Sequence, residues 1–245
     1  MKVVVVVQAR LASSRLPAKI LLDLGGTTAL ERCLRRARKF AHVDEVVVAT
    51  SDLPGDDVVA AVARRLGSRV VRGSETDVLS RFAKAAEECD ADAVVRCTSD
   101  CPLLDPTLSS KVVEAFVKTP GAVDYAANVL ERRLPRGLDT EILSREALLR
   151  AHRDATDPGE REHVTQHVVR RPESFRCVSV TEDSLADHSS MRWTLDTLDD
   201  YRLLATLFDR LGPAADDASM SDVLALFRSD SSLAVLNAHV AQKTT

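Results

Sequence analysis

The stretch VVVVVQARLASSRLPAKI, Val3 to Ile20, sets an unbroken β-branched run against a short loop that holds three cations and no acid. Five consecutive valines, with side chains alternating between opposite faces, suit a strand covered on both sides, as in a buried parallel sheet. The same logic extends down the chain. Glu45–Thr50, Arg69–Val71 and Ala93–Arg96 read as further short strands. Between them apolar residues recur at helical spacing: Leu30, Cys33, Leu34, Ala37 and Phe40; Val58, Val59, Val62, Ala63 and Leu66 before Gly67; Val78, Phe82, Ala85 and Ala86 after Ser74 and Thr76. This βαβαβαβ order predicts a three-layer α/β/α fold on an open, mostly parallel, twisted sheet. Ligands of such sheets sit beyond the carboxyl ends of the strands. The segments in question are Gln8–Lys19, Thr50–Gly55, Arg72–Asp77 and Cys97–Asp105.

Beyond Pro120 the rhythm changes. Val123–Ala127, Phe175–Val180 and Met191–Leu195 read as strands, Leu134–Gly137 as a turn, and Ser144–Ala155, Gly159–Arg170, Asp199–Leu211 and Ser221–Ser229 as helices. The expectation is a single domain over 1–245. Within it, 120–190 leaves the sheet as a lid, acceptor-binding or dimerisation segment, and Met191–Leu195 returns. A net charge of −4 on 245 residues excludes a non-specific grip on nucleic acid or anionic membrane as the main activity. No apolar run, Val3–Val7 included, comes near the roughly 20 residues of a membrane span. With only Met1 and Lys2 ahead of Val3, the expected location is the cytoplasm. Five cysteines without a CxxC pair suit reduced thiols, and the residues after Val240 read as a frayed end.

Arg10, Arg15 and Lys19, beside the hydroxyls of Ser13 and Ser14, suit a polyphosphate, because guanidinium forks and an ammonium match phosphate oxygens. A solvated cationic loop is the plainer alternative. Neither GxxxxGK[ST] nor GxGxxG is present, and the loop has no glycine. Asp100 lies just past one strand and ahead of Pro102, and Asp196 ends Met191–Leu195 in the same manner. Two carboxylates at strand ends facing the ligand edge make a pair for a divalent cation, which takes one or two carboxylates and leaves its other positions to water and phosphate. Each is also an ordinary loop or capping aspartate by type, as Asp105 is taken to be. Asn128, Arg136, Asp139 and Glu141 surround a PRG turn and suit acceptor hydroxyls, a dimer contact or plain solvent. His163 and His167 share a face of the expected helix with Glu160 one turn earlier. Without a third ligand or HExxH they are surface or acceptor-binding histidines rather than a zinc site. Trp193 reads as core, and Cys97 and Cys101, with no activating histidine beside them, as inert.

QARLASSRLPAKILLDLGG resembles the nucleotide-binding signature of the cytidylyltransferases that make CMP-activated sugar acids, the CMP-Kdo and acylneuraminate enzymes. It is most similar to the subgroup of spore coat polysaccharide biosynthesis proteins. VDEVVVATSD, GSETDVLSRF, SDCPLLDP, LPRGLDTEI, EREHVTQH and MRWTLDTLDDY agree with that subgroup in order. The resemblance implies a Rossmann-like nucleotidyltransferase fold and Mg²⁺-dependent transfer of CMP from CTP to a 2-keto-3-deoxy sugar acid. Pyrophosphate is released, in surface polysaccharide or glycoconjugate synthesis, by a homodimer. It also implies that Asp100 and Asp196 hold the metal, that Arg15 and Lys19 hold the β- and γ-phosphates, and that Arg10 binds the triphosphate or the near side of the nucleotide. Gln8, Ala9, Ser13, Ser14, Gly73, Ser74, Asp77, Arg81 and Ser99 complete the nucleotide site. Asn128, Arg136, Asp139, Glu141, Glu162, His163 and Thr165 are its acceptor-side candidates. Two departures stand out, Ala12 and Ala18, where relatives commonly place glycine. Acceptor identity does not transfer, so a phosphonate, a sugar phosphate, an alditol phosphate or a catalytically decayed nucleotide-binding module are the alternatives. An NAD-dependent oxidoreductase fits the alternation but lacks the glycine fingerprint.

Overall fold

The computed structural model describes residues 1–181 and 186–242; the end at 243–245, expected to fray, lies outside them. β1 (Val3–Gln8), β2 (Glu45–Ser51), β3 (Arg69–Gly73) and β4 (Ala93–Thr98) alternate with α1 (Ala29–Ala37), α2 (Asp57–Arg65) and α3 (Val78–Glu88). The all-valine strand follows from its position. Val3, Val5 and Val7 enter one apolar core with Leu30 and Leu34 of α1 and Val59 and Ala63 of α2. Val4 and Val6 enter the opposite one with Leu79, Phe82 and Ala86 of α3. A residue with apolar neighbours above and below gains roughly 25 cal/mol per Å² of area removed from water on each face, and β-branching suits the pleat.

After β4 come α4 (Pro106–Val117), β5 (Tyr125–Ala127), β6 (Glu141–Ser144), α5 (Arg145–Asp154), α6 (Pro158–Glu162), α7 (Gln166–Val169), β7 (Cys177–Ser179), α8 (Leu198–Leu211) and α9 (Met220–Ser229). The seven strands lie in the order β3-β2-β1-β4-β6-β5-β7. Only β6 runs antiparallel to its neighbours, which makes the sheet mostly parallel. The crossovers turn in opposite directions from β1, towards β2 on one side and β4 on the other. A crevice therefore opens between the carboxyl ends of β1 and β4. Gln8 pairs with Thr98 there, and Ser99 N–H donates to the Gln8 carbonyl at 3.1 Å.

Three expectations are corrected. Residues 120–190 do not leave the sheet, since they supply β5, β6 and β7. Met191–Leu195 does not return to it as a strand. Its N–H groups go to loops instead: Trp193 donates to the Arg136 carbonyl at 2.7 Å and Leu195 to the Asp100 carbonyl at 2.8 Å. Gly137 makes the first contact possible. It sits at φ +108°, and a Cβ there would stand 2.7 Å from the Trp193 backbone. The expected helix at Gly159–Arg170 is also broken in two at His163, so His163 and His167 share no face. Among the described residues no helix is long and apolar enough to cross a membrane.

Candidate active site

A cleft of about 290 Å³ opens at the β1–β4 crevice. Its lining brings together Gln8, Ala9, Arg10, Ser13, Ser14, Arg15 and Lys19 from the first loop, Arg81 from α3, Ser99 and Asp100 after β4, Asp196, and Glu162 with His163. The loop is shaped by its own chain chemistry. Asp56, buried ahead of α2, accepts from Leu11 N–H at 2.6 Å and from the Ser51 hydroxyl, which ties the loop to β2. Ala18 takes up a left-handed conformation, φ 56°, and starts the short turn Lys19–Leu21. That kink aims Lys19 back across the crevice.

The Lys19 ammonium donates to Asp100 Oδ2 at 2.6 Å and to Asp196 Oδ1 at 2.7 Å. Both carboxylates thus converge on one nitrogen. Burial alone would raise the Asp100 pKa, but the charge and hydrogen bond of Lys19 overcome it and hold the carboxyl below its usual range. Burial opposes the Lys19 charge, and the two aspartates raise its pKa in spite of that. Asp196 Oδ2 meets Arg15 Nη2 at 3.0 Å and Arg192 Nη2 at 2.5 Å. Arg192 and Asp200 are supports that the sequence did not reveal. Fully buried Asp200 accepts from Arg192 Nε, Asn237 Nδ2 and the N–H groups of Asp196 and Thr197, all within 3.0 Å. Every lone pair of Asp200 is used for architecture, whereas Asp196 faces the cleft.

The other cation of the cleft is held differently. Arg81 is 2% exposed, and its Nε and Nη1 have no hydrogen-bond partner among the described residues. Burial first, and the nearby Arg10 second, lower its pKa. Asp56, Glu75 and Asp77 lie near enough to act on its charge, but none bonds to it, and buried donors left unbonded are destabilising, which marks this point as one where the chain presents charge to something else. Arg10 reaches Glu162 at 3.3 Å across the mouth of the cleft.

Other candidates lie elsewhere. Gly73, Ser74 and Asp77 are not among the lining residues. Gly73 gives Arg81 room, since a Cβ there would be 3.1 Å from Arg81 Cγ. Ser74 Oγ accepts from Asp77 N–H at 3.1 Å, and Asp77 caps α3 and pairs with Arg161 at 2.6 Å. Asn128, Arg136, Asp139, Glu141 and Thr165 also stand back from the cleft. Asn128 staples Leu138 O and Thr140 N–H, Asp139 takes a two-pronged pair from Arg132, and Glu141, on β6 beside β4, is buried with Thr165. Polar residues around a turn look alike in sequence whether they face a ligand or each other. His167 is buried against Glu160, Nδ1 to Oε2 at 2.6 Å, while burial lowers the pKa of cleft-facing His163. Asp105 caps α4, accepting from Thr107 and Leu108. The cysteines are free, and burial pushes Cys97 up to about 12, which keeps it protonated. Gln242, which also lines the cleft, is too far along the sequence for any local signal to have announced it.

Among the described residues no group of three or more His, Cys, Asp or Glu is arranged around a metal. The donor set that does converge, Asp100 and Asp196, is all oxygen and twice anionic. It fits a hard divalent cation that draws its remaining ligands from water and phosphate, and it does not fit zinc.

The cytidylyltransferase family profile matches residues 4–209. The spore coat polysaccharide biosynthesis protein SpsF of Bacillus subtilis is 31% identical over 226 residues, 90% of this chain and 92% of its own. A solved cytidylyltransferase from Leptospira borgpetersenii superposes with a TM-score of 0.90 at 31% identity, covering 100% of both chains. The fold also matches a CMP:2-keto-3-deoxy-manno-octonic acid synthetase solved with CTP, TM-score 0.62 at 19% identity over 86% of this chain and 99% of that one. With the profile and an above-30% relative both spanning most of its length, the chain belongs to the cytidylyltransferase family of CTP-dependent nucleotidyltransferases.

Proposed function

We propose that the chain moves CMP from CTP to a sugar acid of the 2-keto-3-deoxy type, with Mg²⁺ and with release of pyrophosphate, for surface polysaccharide or glycoconjugate synthesis. The observation that carries the reading is the meeting, in one cleft, of Arg15, Lys19 and an unpaired Arg81 with the carboxylates Asp100 and Asp196. The CTP complex of a synthetase with the same fold supports the choice of nucleotide and acceptor class.

In this reading Arg15 and Lys19 exchange carboxylate partners for β- and γ-phosphate oxygens, a trade of one charge-assisted pair for another. Arg10 and Arg81 bind the nucleotide, together with Ala9, Ser13, Ser14 and Ser99. Asp100 and Asp196 hold Mg²⁺, which when bound neutralises charge on the triphosphate and stabilises the departing pyrophosphate. Glu162 and His163 border the acceptor. Burial keeps His163 neutral near pH 7, able to accept a hydroxyl proton's hydrogen bond rather than repel a cation. The enzyme acts in the cytoplasm, where CTP is made, as a homodimer. The test is pyrophosphate release from CTP and Mg²⁺ against a panel of sugar acids, phosphonates and sugar phosphates, with mass spectrometry of the products. CMP esters of sugar acids are expected, and release only with a phosphate acceptor would overturn the acceptor class.

A further inference from the structure

Half-buried Gln8 ends β1 and lines the cleft. Its side-chain oxygen accepts from Arg96 Nε on β4 at 3.2 Å. Arg96 is itself pinned by an ion pair with buried Glu141 on β6. The second Glu141 oxygen accepts from the hydroxyl of buried Tyr125 on β5 at 2.6 Å, and Thr165 adds a further hydrogen bond to the same carboxylate. Burial works against the Glu141 charge, yet Arg96 keeps its pKa lowered, so the pair is ionic. Four adjacent strands, β1, β4, β6 and β5, thus contribute to one polar chain whose last member is a cleft residue.

The chain has a direction. An arginine has donors only. The Gln8 atom that faces Arg96 must therefore be the carbonyl oxygen, which leaves the NH₂ group as the end available to the cleft. We propose that Tyr125, Glu141 and Arg96 lock the Gln8 amide in this orientation, making Gln8 a specificity-determining donor that admits only a ligand with a hydrogen-bond acceptor at that point. The ligands come from the CMP-transfer reading, on which this inference rests. Cytosine presents adjacent acceptors at O2 and N3, and a sugar acid presents a carboxylate; either satisfies the donor. Glu141 and Thr165, expected from sequence in the acceptor pocket, then act as positioning residues through Gln8, at one remove from any ligand. A fully satisfied buried network of this kind rigidifies what it holds, and one wrong-way group in it is expensive.

Gln8→Glu tests the polarity. It keeps the size and an oxygen for Arg96 but turns the donor into a second anionic oxygen, whereas Gln8→Leu merely deletes the donor. Calorimetry with CTP and Mg²⁺ reads the base arm, and the KM for whichever 2-keto-3-deoxy acid the wild type turns over reads the acid arm. Melting temperature controls for folding. The expected result is a loss of about tenfold or more in one arm for Gln8→Glu, larger than for Gln8→Leu, at an unchanged melting temperature. Glu141→Gln should weaken the same arm by a smaller factor. Wild-type values in both arms for Gln8→Glu overturn the assignment of Gln8 alone. A wild type that neither binds CTP nor turns over any acid overturns the CMP-transfer reading and this inference together.

Discussion

Asp100 and Asp196 reach the same ammonium by opposite routes. Asp100 follows β4 directly, and Cys101 N–H closes a tight turn onto the Thr98 carbonyl at 3.1 Å. The sheet places it. Asp196 belongs to a segment outside the sheet, and side-chain charges hold it: Arg15 and Arg192 on its carboxylate, and Asp200 on its backbone N–H. One carboxylate is positioned by backbone geometry and the other by an ionic frame. The two halves should therefore fail in different ways when perturbed.

The largest effect falls on both equally. Asp100→Ala and Asp196→Ala should each lower kcat by about a thousandfold or more in a pyrophosphate-release assay. Asp200→Ala separates the two routes. It leaves Arg192 buried without its main partner and should remove about 3 kcal/mol of stability, read by urea unfolding. No such ionic frame stands behind Asp100, whose loop hangs on main-chain bonds. Lys19→Ala should weaken CTP binding by about thirtyfold in calorimetry, the scale of one lost charge-assisted contact. Equal affinity would remove Lys19 from the triphosphate site.

Acid distinguishes the halves more gently. Lys19 holds the Asp100 pKa at about 2, below the ordinary 3.8. The stabilisation from that charge is complete above the ordinary value and is lost as the pH falls through it towards about 2. The melting temperature of the wild type should therefore drop over that window more steeply than that of Asp100→Asn, which has no charge to lose there. The smallest effect concerns the loop itself. Ala18 sits at φ 56°, a conformation in which a Cβ costs about 1 kcal/mol or more, part of it offset by the greater freedom of an unfolded glycine. Ala18→Gly should raise stability by about 0.5 kcal/mol and leave turnover within about twofold.

The same contrast explains what could be read from the sequence. The β1–β4 half announces itself because each strand is a continuous apolar run and each helix keeps a regular period. Gln8, Arg15, Lys19 and Asp100 then fall at the carboxyl edge by counting residues. β6 escaped notice because four residues beginning with a buried glutamate have no period to show. The pattern of α4, PTLSSKVVEAFV, is rich in β-branched and hydroxyl residues that mask its helical spacing. Met191–Leu195 looks like a strand because it is apolar, but its apolar side chains serve a third core with α8 and α9, and its backbone bonds go to the Asp100 and Arg136 loops. In sequence Asn128, Asp139 and Glu141 suit a ligand, a dimer contact or solvent equally, because charge around a turn fits all three. Their partners, Leu138, Arg132 and Arg96, are set by tertiary register that no local spacing encodes. Arg192 lies four residues before Asp196 and could have been paired with it had the segment been read as a turn onto α8.

The central claim is that two differently held carboxylates and a cationic loop make one transferase cleft. Its most direct test is a mass-resolved assay of wild type, Asp100→Asn and Asp196→Asn with CTP, Mg²⁺ and a panel of 2-keto-3-deoxy sugar acids. The account predicts one pyrophosphate released per CMP–sugar acid formed by the wild type and none above background in either variant. Turnover that survives in both variants, or CTP that binds and is never transferred, would contradict it.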